Sequence, residues 1–355
     1  MKKRSRFAKR AIGLGVTAVS VYLVIPSVIE VFSSWPELER LRSGSLALMS
    51  LAVLLSSACL WLLYGLCLRS TDWKLMASSQ LASSAVSRIV PGGAATATAV
   101  QYRMLNDAGI PKQSAATGLT VATILNFAVL FSLPVFSVPA ILFGPPIAPL
   151  LLRAAVAGVI GFVAVAIMGG LFFLWDKPLV RLGSGIDTLK AKLNRGDPSA
   201  PPREETFLVA RDLLRSHLAD NWLAVVLASL GRWGFEYLAL VMAVRGVGHD
   251  EVGSVLLLAF VMASLLSKVP FTPGGLGFVE AGLTGTLALA GLSAGDAVLA
   301  TLAFRLVSYW LPIPLGALAY AYHAHGLRAR GVEPETLSEL GQHELEGRAE
   351  RSSAG

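Results

Sequence analysis

Six stretches of this chain stay apolar for about 20 residues or more: Ala11–Phe32, Ser45–Leu68, Ser114–Leu133, Leu150–Leu174, Asn221–Val244 and Ala294–Tyr322. Such runs match the thickness of a bilayer's hydrocarbon core, and a water-soluble fold has no use for six of them. Only 15% of the 355 residues are charged and 54% are apolar, against roughly a quarter charged in soluble domains. The chain is therefore expected to be an all-α polytopic membrane protein.

The charges that remain are placed unevenly. Lys2, Lys3, Arg4, Arg6, Lys9 and Arg10 precede the first run with no acid among them. That run is longer than the apolar core of a signal peptide and ends without a small-x-small cleavage pattern, so it reads as an uncleaved helix with a cytoplasmic start. Counting sides from there puts residues 175–219 in the cytoplasm, with Lys177, Arg181, Lys190, Lys192, Arg195, Arg203, Arg211 and Arg215. The opposite loops hold little more than Arg40, Arg42, Arg153 and Arg245. This is the positive-inside distribution. Both termini are expected in the cytoplasm of a plasma membrane, with Trp73, Trp175 and Trp222 at the inner interface and Trp35 at the outer one.

Two further segments, Met76–Met104 and Val252–Ala290, are interrupted by Pro91-Gly92-Gly93 and by Pro270-Phe271-Thr272-Pro273-Gly274-Gly275. Each reads as a broken helical hairpin. The arms of the first are too short to cross, whereas the second is left open between a re-entrant hairpin and two full spans. The breaks stand at a fixed offset, 273 − 91 = 182, and so do Gly109 and Gly291, 291 − 109 = 182. Ser84, Ser87 and Arg88 match Ser264, Ser267 and Lys268 after a two-residue insertion. The chain thus reads as two repeats of three transmembrane helices plus one hairpin, and three crossings per repeat make the second inverted. Paired, Pro/Gly-interrupted segments of this kind point to a transporter site near the midplane. The expected division is a basic tail 1–10, repeat one over 11–133, an outer loop 134–149, repeat two over 150–322 and a disordered polar tail 323–355.

Few ionisable residues interrupt the apolar segments: Arg88, Arg232, Glu236, Lys268, Glu280 and Arg305. Charge at this depth is costly and marks a site or a partner. Arg232 and Glu236, four apart on one helical face, read either as an ion pair or as coupling groups, as does Glu280. Four cations against two acids suit a phosphate-bearing headgroup, with Arg88, Lys268 and Arg305 neutralising it. The backbone amides of Gly274, Gly275 and Gly277, where a helix restarts, add anion donors. Glu280 on that restarting helix would receive an amine or proton, or offset the helix dipole.

No metal site or cofactor is expected. Cys59 and Cys67, eight apart, lie about 12 Å apart along a helix, too far for a disulfide, and His323 and His325 lack a third ligand. Phosphate-binding glycine loops, dinucleotide fingerprints, zinc-protease motifs and nucleophile elbows are absent. The basic segments lack the interleaved aromatics of a nucleic-acid surface, so lipids are the expected partners. Gly158 and Gly161 leave a homo-oligomer open.

The string Pro270-Phe271-Thr272-Pro273-Gly274-Gly275-Leu276-Gly277-Phe278-Val279-Glu280-Ala281-Gly282 resembles the signature of the lysylphosphatidylglycerol synthase transmembrane region, also described as a flippase-like family. Pro91-Gly92-Gly93 and Tyr102-Arg103 extend the resemblance, which covers roughly residues 8–325. It implies lipid movement between leaflets. The aminoacyl transfer of the bifunctional members is not expected, because little more than a polar tail follows the last run. The alternatives are a membrane-embedded transferase or accessory subunit acting on a polyprenyl-phosphate-linked or phospholipid substrate, and an envelope scaffold.

Overall fold

A computed structural model describes residue 38, residues 41–90 and 93–137, scattered helical positions between 152 and 167, and residues 203–249, 254–267 and 273–329. Among the described residues every regular element is helical. In chain order these are α1 (Ser45–Leu68), α2 (Trp73–Ile89), α3 (Ala94–Asp107), α4 (Lys112–Ser132), α5 (Arg203–Gly246), α6 (Ser254–Leu266), α7 (Phe278–Leu289), α8 (Ala294–Arg305) and α9 (Pro312–Ala329). Four stretches are long and apolar enough to cross a membrane: Ser45–Leu68, Lys112–Phe136, Asn221–Gly246 and Ala294–Ala329. They coincide with the second, third, fifth and sixth apolar runs. The first run, more than half of the fourth, and Trp35 and Trp175 lie outside the described residues.

Two helices outrun the apolar stretches that define them. The helical backbone of α5 starts at Arg203, inside the basic segment, and carries a break at Asn221 (φ −142°, ψ 30°) where the apolar stretch begins. At the other end α9 runs on to Ala329, so residues 323–329, expected in the polar tail, are helical. Propagation adds a hydrogen bond per residue whether or not lipid surrounds it, which is why hydropathy marks the span and not the helix end.

Both interrupted segments are hairpins with short arms. The first pairs α2 with α3, 17 and 14 residues long, and the second pairs α6 with α7, 13 and 12 residues long. At 1.5 Å per residue these arms reach only about 18–26 Å, short of a hydrocarbon core of about 30 Å. In residues 252–290, left open by the sequence, the helices formed by the described residues are too short to cross.

The hairpin exits are built alike at the 182-residue offset. Gly109 (φ 93°) and Gly291 (φ 102°) both take the left-handed conformation that closes a helix. Ile110 N–H donates to the Leu105 carbonyl at 3.0 Å, and Leu292 N–H to the Leu287 carbonyl at 3.2 Å; 287 − 105 and 292 − 110 both equal 182. Corresponding helices α1 and α5 run antiparallel. Gly246 lies against Ser45, Ser56 Oγ donates to the Arg232 carbonyl at 2.7 Å, and Gly231 lies against Cys59, so position rises along α1 as it falls along α5. That is the relation an inverted repeat requires.

Packing follows the rules of lipid rather than water. The interior holds Trp233, Phe260, Met49, Leu240, Leu283 and Leu287, with the Trp233 and Phe260 rings edge-to-face at 6.2 Å. Leu48, Leu51, Leu55 and Leu62 of α1 point outward, since lipid tails solvate leucine as well as the core does. Close crossings rely on small residues instead. A Cβ on Gly316 of α9 would lie 2.3 Å from the Leu81 carbonyl oxygen and 2.6 Å from the Ala85 Cβ of α2. Gly316→Ala is therefore expected to cost about 1–3 kcal/mol, read as a lower melting temperature in detergent. Unchanged melting would mean that α2 and α9 separate without loss.

Candidate functional site

Ser56 sits mid-span on α1, 11 residues from Ser45 and 12 from Leu68, and Arg232 sits 11 from Asn221 and 14 from Gly246 on its partner. Around that level both hairpins and the spans enclose a cavity of about 300 Å³, lined by residues from both halves of the chain. Serines make much of its wall. Ser87 Oγ donates to the Ser84 carbonyl at 2.8 Å, and Ser267 Oγ to the Ser264 carbonyl at 2.7 Å. All four line the cavity. Back-bonding to their own helices satisfies the donor protons of Ser87 and Ser267 and leaves their hydroxyl lone pairs for the interior.

Arg305, at the end of α8, is 6% exposed, and its Nε donates to Glu280 Oε1 at 2.6 Å. The other oxygen, Oε2, accepts the Gly277 N–H at 2.7 Å, so one carboxylate both caps the start of α7 and pairs with the last span. Arg305 also reaches the Gly274 carbonyl at 3.4 Å and lies 4.3 Å from the centre of the Tyr309 ring. Gly274 itself (φ 57°) leaves no room for a side chain, because a Cβ would lie 2.4 Å from Tyr309.

Arg232 pairs with Glu236 one turn along α5. The same guanidinium donates to Ser56 Oγ at 2.9 Å and lies 4.6 Å from the Trp233 ring centre.

Arg88 ends the first arm of hairpin one; its hydrogen bonds among the described residues go to neutral groups, while the Glu236 carboxylate across the cavity acts on it electrostatically. Arg88 donates to Ser84, through the carbonyl at 2.8 Å and the hydroxyl, and to the Ser308 carbonyl at 3.2 Å. The last of these has a sequence reason. Leu306–Trp310 is a π-turn, with Leu311 N–H bonded to the Leu306 carbonyl at 3.1 Å, and Pro312 has no N–H to offer Ser308. Wide turns of this kind recur at functional sites. Tyr309 Oη in turn donates to the Arg88 carbonyl at 2.6 Å, so the end of hairpin one is tied to the last span from both sides.

Of the residues singled out in the sequence, Arg88, Gly93, Arg232, Glu236, Gly274 and Arg305 line the cavity. Glu280 stands behind Arg305. Gly275 is packed against Ser267 and Val279, the Gly277 amide is taken by Glu280, and Pro273 opens a short 3-10 turn. Pro91, Gly92, Lys268 and Pro270 lie outside the described residues. Sequence reasoning passed over Ser56, Gln101, Asn126, Ser308 and Tyr309. Their signal was present but weak: uncharged polar residues inside apolar segments, and a Pro-x-Pro just after the π-turn.

The antiparallel α1 and α5, short hairpins and a polar cavity at mid-span define a polytopic all-α membrane protein with an interior cavity. The chain belongs to the lysylphosphatidylglycerol synthase transmembrane-region family, whose model matches residues 10–316. Three curated relatives, each described as a UPF0104 membrane protein of Methanothermobacter thermautotrophicus, match over shorter stretches. They are 32% identical over 95 residues, 30% over 90 and 27% over 100. These stretches make up 27%, 25% and 28% of this chain and 27%, 27% and 30% of the relatives, so less than a third of each relative's length is covered.

Proposed function

We propose that the chain is a lipid translocase of the plasma membrane, with both termini cytoplasmic, moving an anionic or lipid-linked phosphate-bearing substrate between leaflets. One observation carries this reading. Arg88 lines a mid-span cavity, and among the described residues no carboxylate pairs with it, whereas Arg232 and Arg305 each have one. A cation hydrogen-bonded at this depth only to carbonyl and hydroxyl groups, with the nearby Glu236 carboxylate already paired to Arg232, is completed by an anionic ligand, and a guanidinium matches phosphate oxygens well. A volume of about 300 Å³ is at the small end of ligand pockets; it admits a headgroup and leaves acyl chains in the bilayer.

Repeats over 11–133 and 150–322 would alternate access by moving the two hairpins against the spans, with Lys268 as the second-repeat counterpart of Arg88. Energy would come from an ion gradient or from the lipid gradient itself.

The test is leaflet-resolved movement of headgroup-labelled lipids in proteoliposomes. Anionic phospholipid or a polyprenyl phosphate should equilibrate faster than in protein-free vesicles, and phosphatidylcholine should not. Rates equal to those of empty vesicles across the whole panel would sink the proposal.

A further inference from the structure

Two residues of the cavity wall carry carboxamides with one buried, unpaired atom each. Gln101, on the second arm of hairpin one, is 3% exposed, and its Nε2 has no partner. Asn126, on α4, has a buried Oδ1 without one. Both residues line the same cavity as Arg88. Leaving buried amide atoms unpaired costs free energy that a ligand can recover, and carboxamides offer both donor and acceptor, as a hydroxyl does.

The charges around them discriminate against an amine. Among the described residues, three guanidiniums, of Arg88, Arg232 and Arg305, and one carboxylate, of Glu236, line the cavity. That carboxylate is held by Arg232, and Glu280 is held by Arg305. An ammonium entering here would meet like charge at low dielectric, with no carboxylate among the described lining residues left without a cation of its own.

Resting on the translocase reading, we infer that the cavity selects a phosphate ester whose remaining polar part carries hydroxyls and no amine, such as a glycerol or sugar phosphate headgroup. Arg88 takes the phosphate, and Gln101 and Asn126 read the hydroxyls. A site built to bond hydroxyls rejects analogues lacking them far more strongly than an apolar pocket does.

Binding is tested separately from movement. The purified chain in phosphatidylcholine nanodiscs is titrated calorimetrically with dihexanoyl phosphatidylglycerol, phosphatidic acid and phosphatidylethanolamine, and with free sn-glycerol 3-phosphate. Phosphatidylglycerol should bind at least about tenfold more tightly than the phosphatidic acid and ethanolamine lipids. Gln101→Leu should bring the phosphatidylglycerol to phosphatidic acid ratio to within about threefold, and the isosteric Gln101→Glu should shift preference towards the ethanolamine lipid. Equal binding of ethanolamine and glycerol lipids, a ratio unmoved by Gln101→Leu, or no binding at all overturns the inference, whatever the proteoliposomes report. Tight binding of free glycerol phosphate equal to that of the lipid supports the headgroup chemistry and counts against the translocase reading alone.

Discussion

Glu280→Ala is expected to lower the stability of the detergent-solubilised protein by about 3 kcal/mol, the range for breaking a buried ion pair from one side. The carboxylate meets two needs, and the variants separate them. Glu280→Gln keeps an oxygen for the Gly277 N–H and removes only the charge facing Arg305, so it should lose less than alanine, by about the 1 kcal/mol of a helix cap. Arg305 is 6% exposed, and without Glu280 its remaining contacts are the Gly274 carbonyl and the Tyr309 ring. The double variant Glu280→Ala/Arg305→Ala removes the stranded guanidinium as well. It should therefore lose clearly less than the sum of the single changes, with a coupling of about 1–3 kcal/mol. Additive losses in thermal unfolding would show that the pair is a bystander and that hairpin two is held to the last span by packing.

That pair also marks where the sequence stopped being informative. Four spans were legible because apolar length is a one-dimensional signal, and the repeat was legible because Gly109 and Gly291 must adopt a backbone that other residues resist. The pairing of Arg232 with Glu236 was open to reading from spacing, being one turn apart on one helix. Glu280 and Arg305 are 25 positions apart on different helices, and Arg88 and Ser308 are 220 apart. No periodicity connects such residues; only the packing of the hairpins against the last span does. Arg305 was readable as a phosphate ligand and Glu280 as an acceptor of an amine or proton or as a helix-dipole charge, but their pairing with each other was not. Gln101 and Asn126 went unremarked for another reason, since an uncharged amide in an apolar run raises little alarm until the fold buries it beside a cation. The length of the second hairpin's arms was hidden by apolar residues flanking both sides of the break.

Arg88→Gln is expected to slow protein-dependent movement of anionic lipid by about 100-fold or more, in line with removing one side of a desolvated, hydrogen-bonded charge pair. Glutamine retains a donor for Ser84 or the Ser308 carbonyl and so isolates the charge. Arg88→Lys keeps the charge but not the fork that reaches the Ser84 carbonyl and the Ser308 carbonyl from two nitrogens. A single ammonium cannot hold both while binding phosphate in two places, so lysine should fall between the two, within about tenfold of the unaltered protein. The controls lie in the fold itself. Tyr309 Oη bonds to the Arg88 backbone carbonyl, a contact that side-chain changes at position 88 leave in place, so melting temperature should shift far less than transport. Equal transport by all three proteins would remove Arg88 from the substrate path and leave its lone charge a feature of packing. A graded loss, arginine above lysine above glutamine at matched stability, is the pattern that a phosphate-reading guanidinium predicts and that a merely structural cation does not.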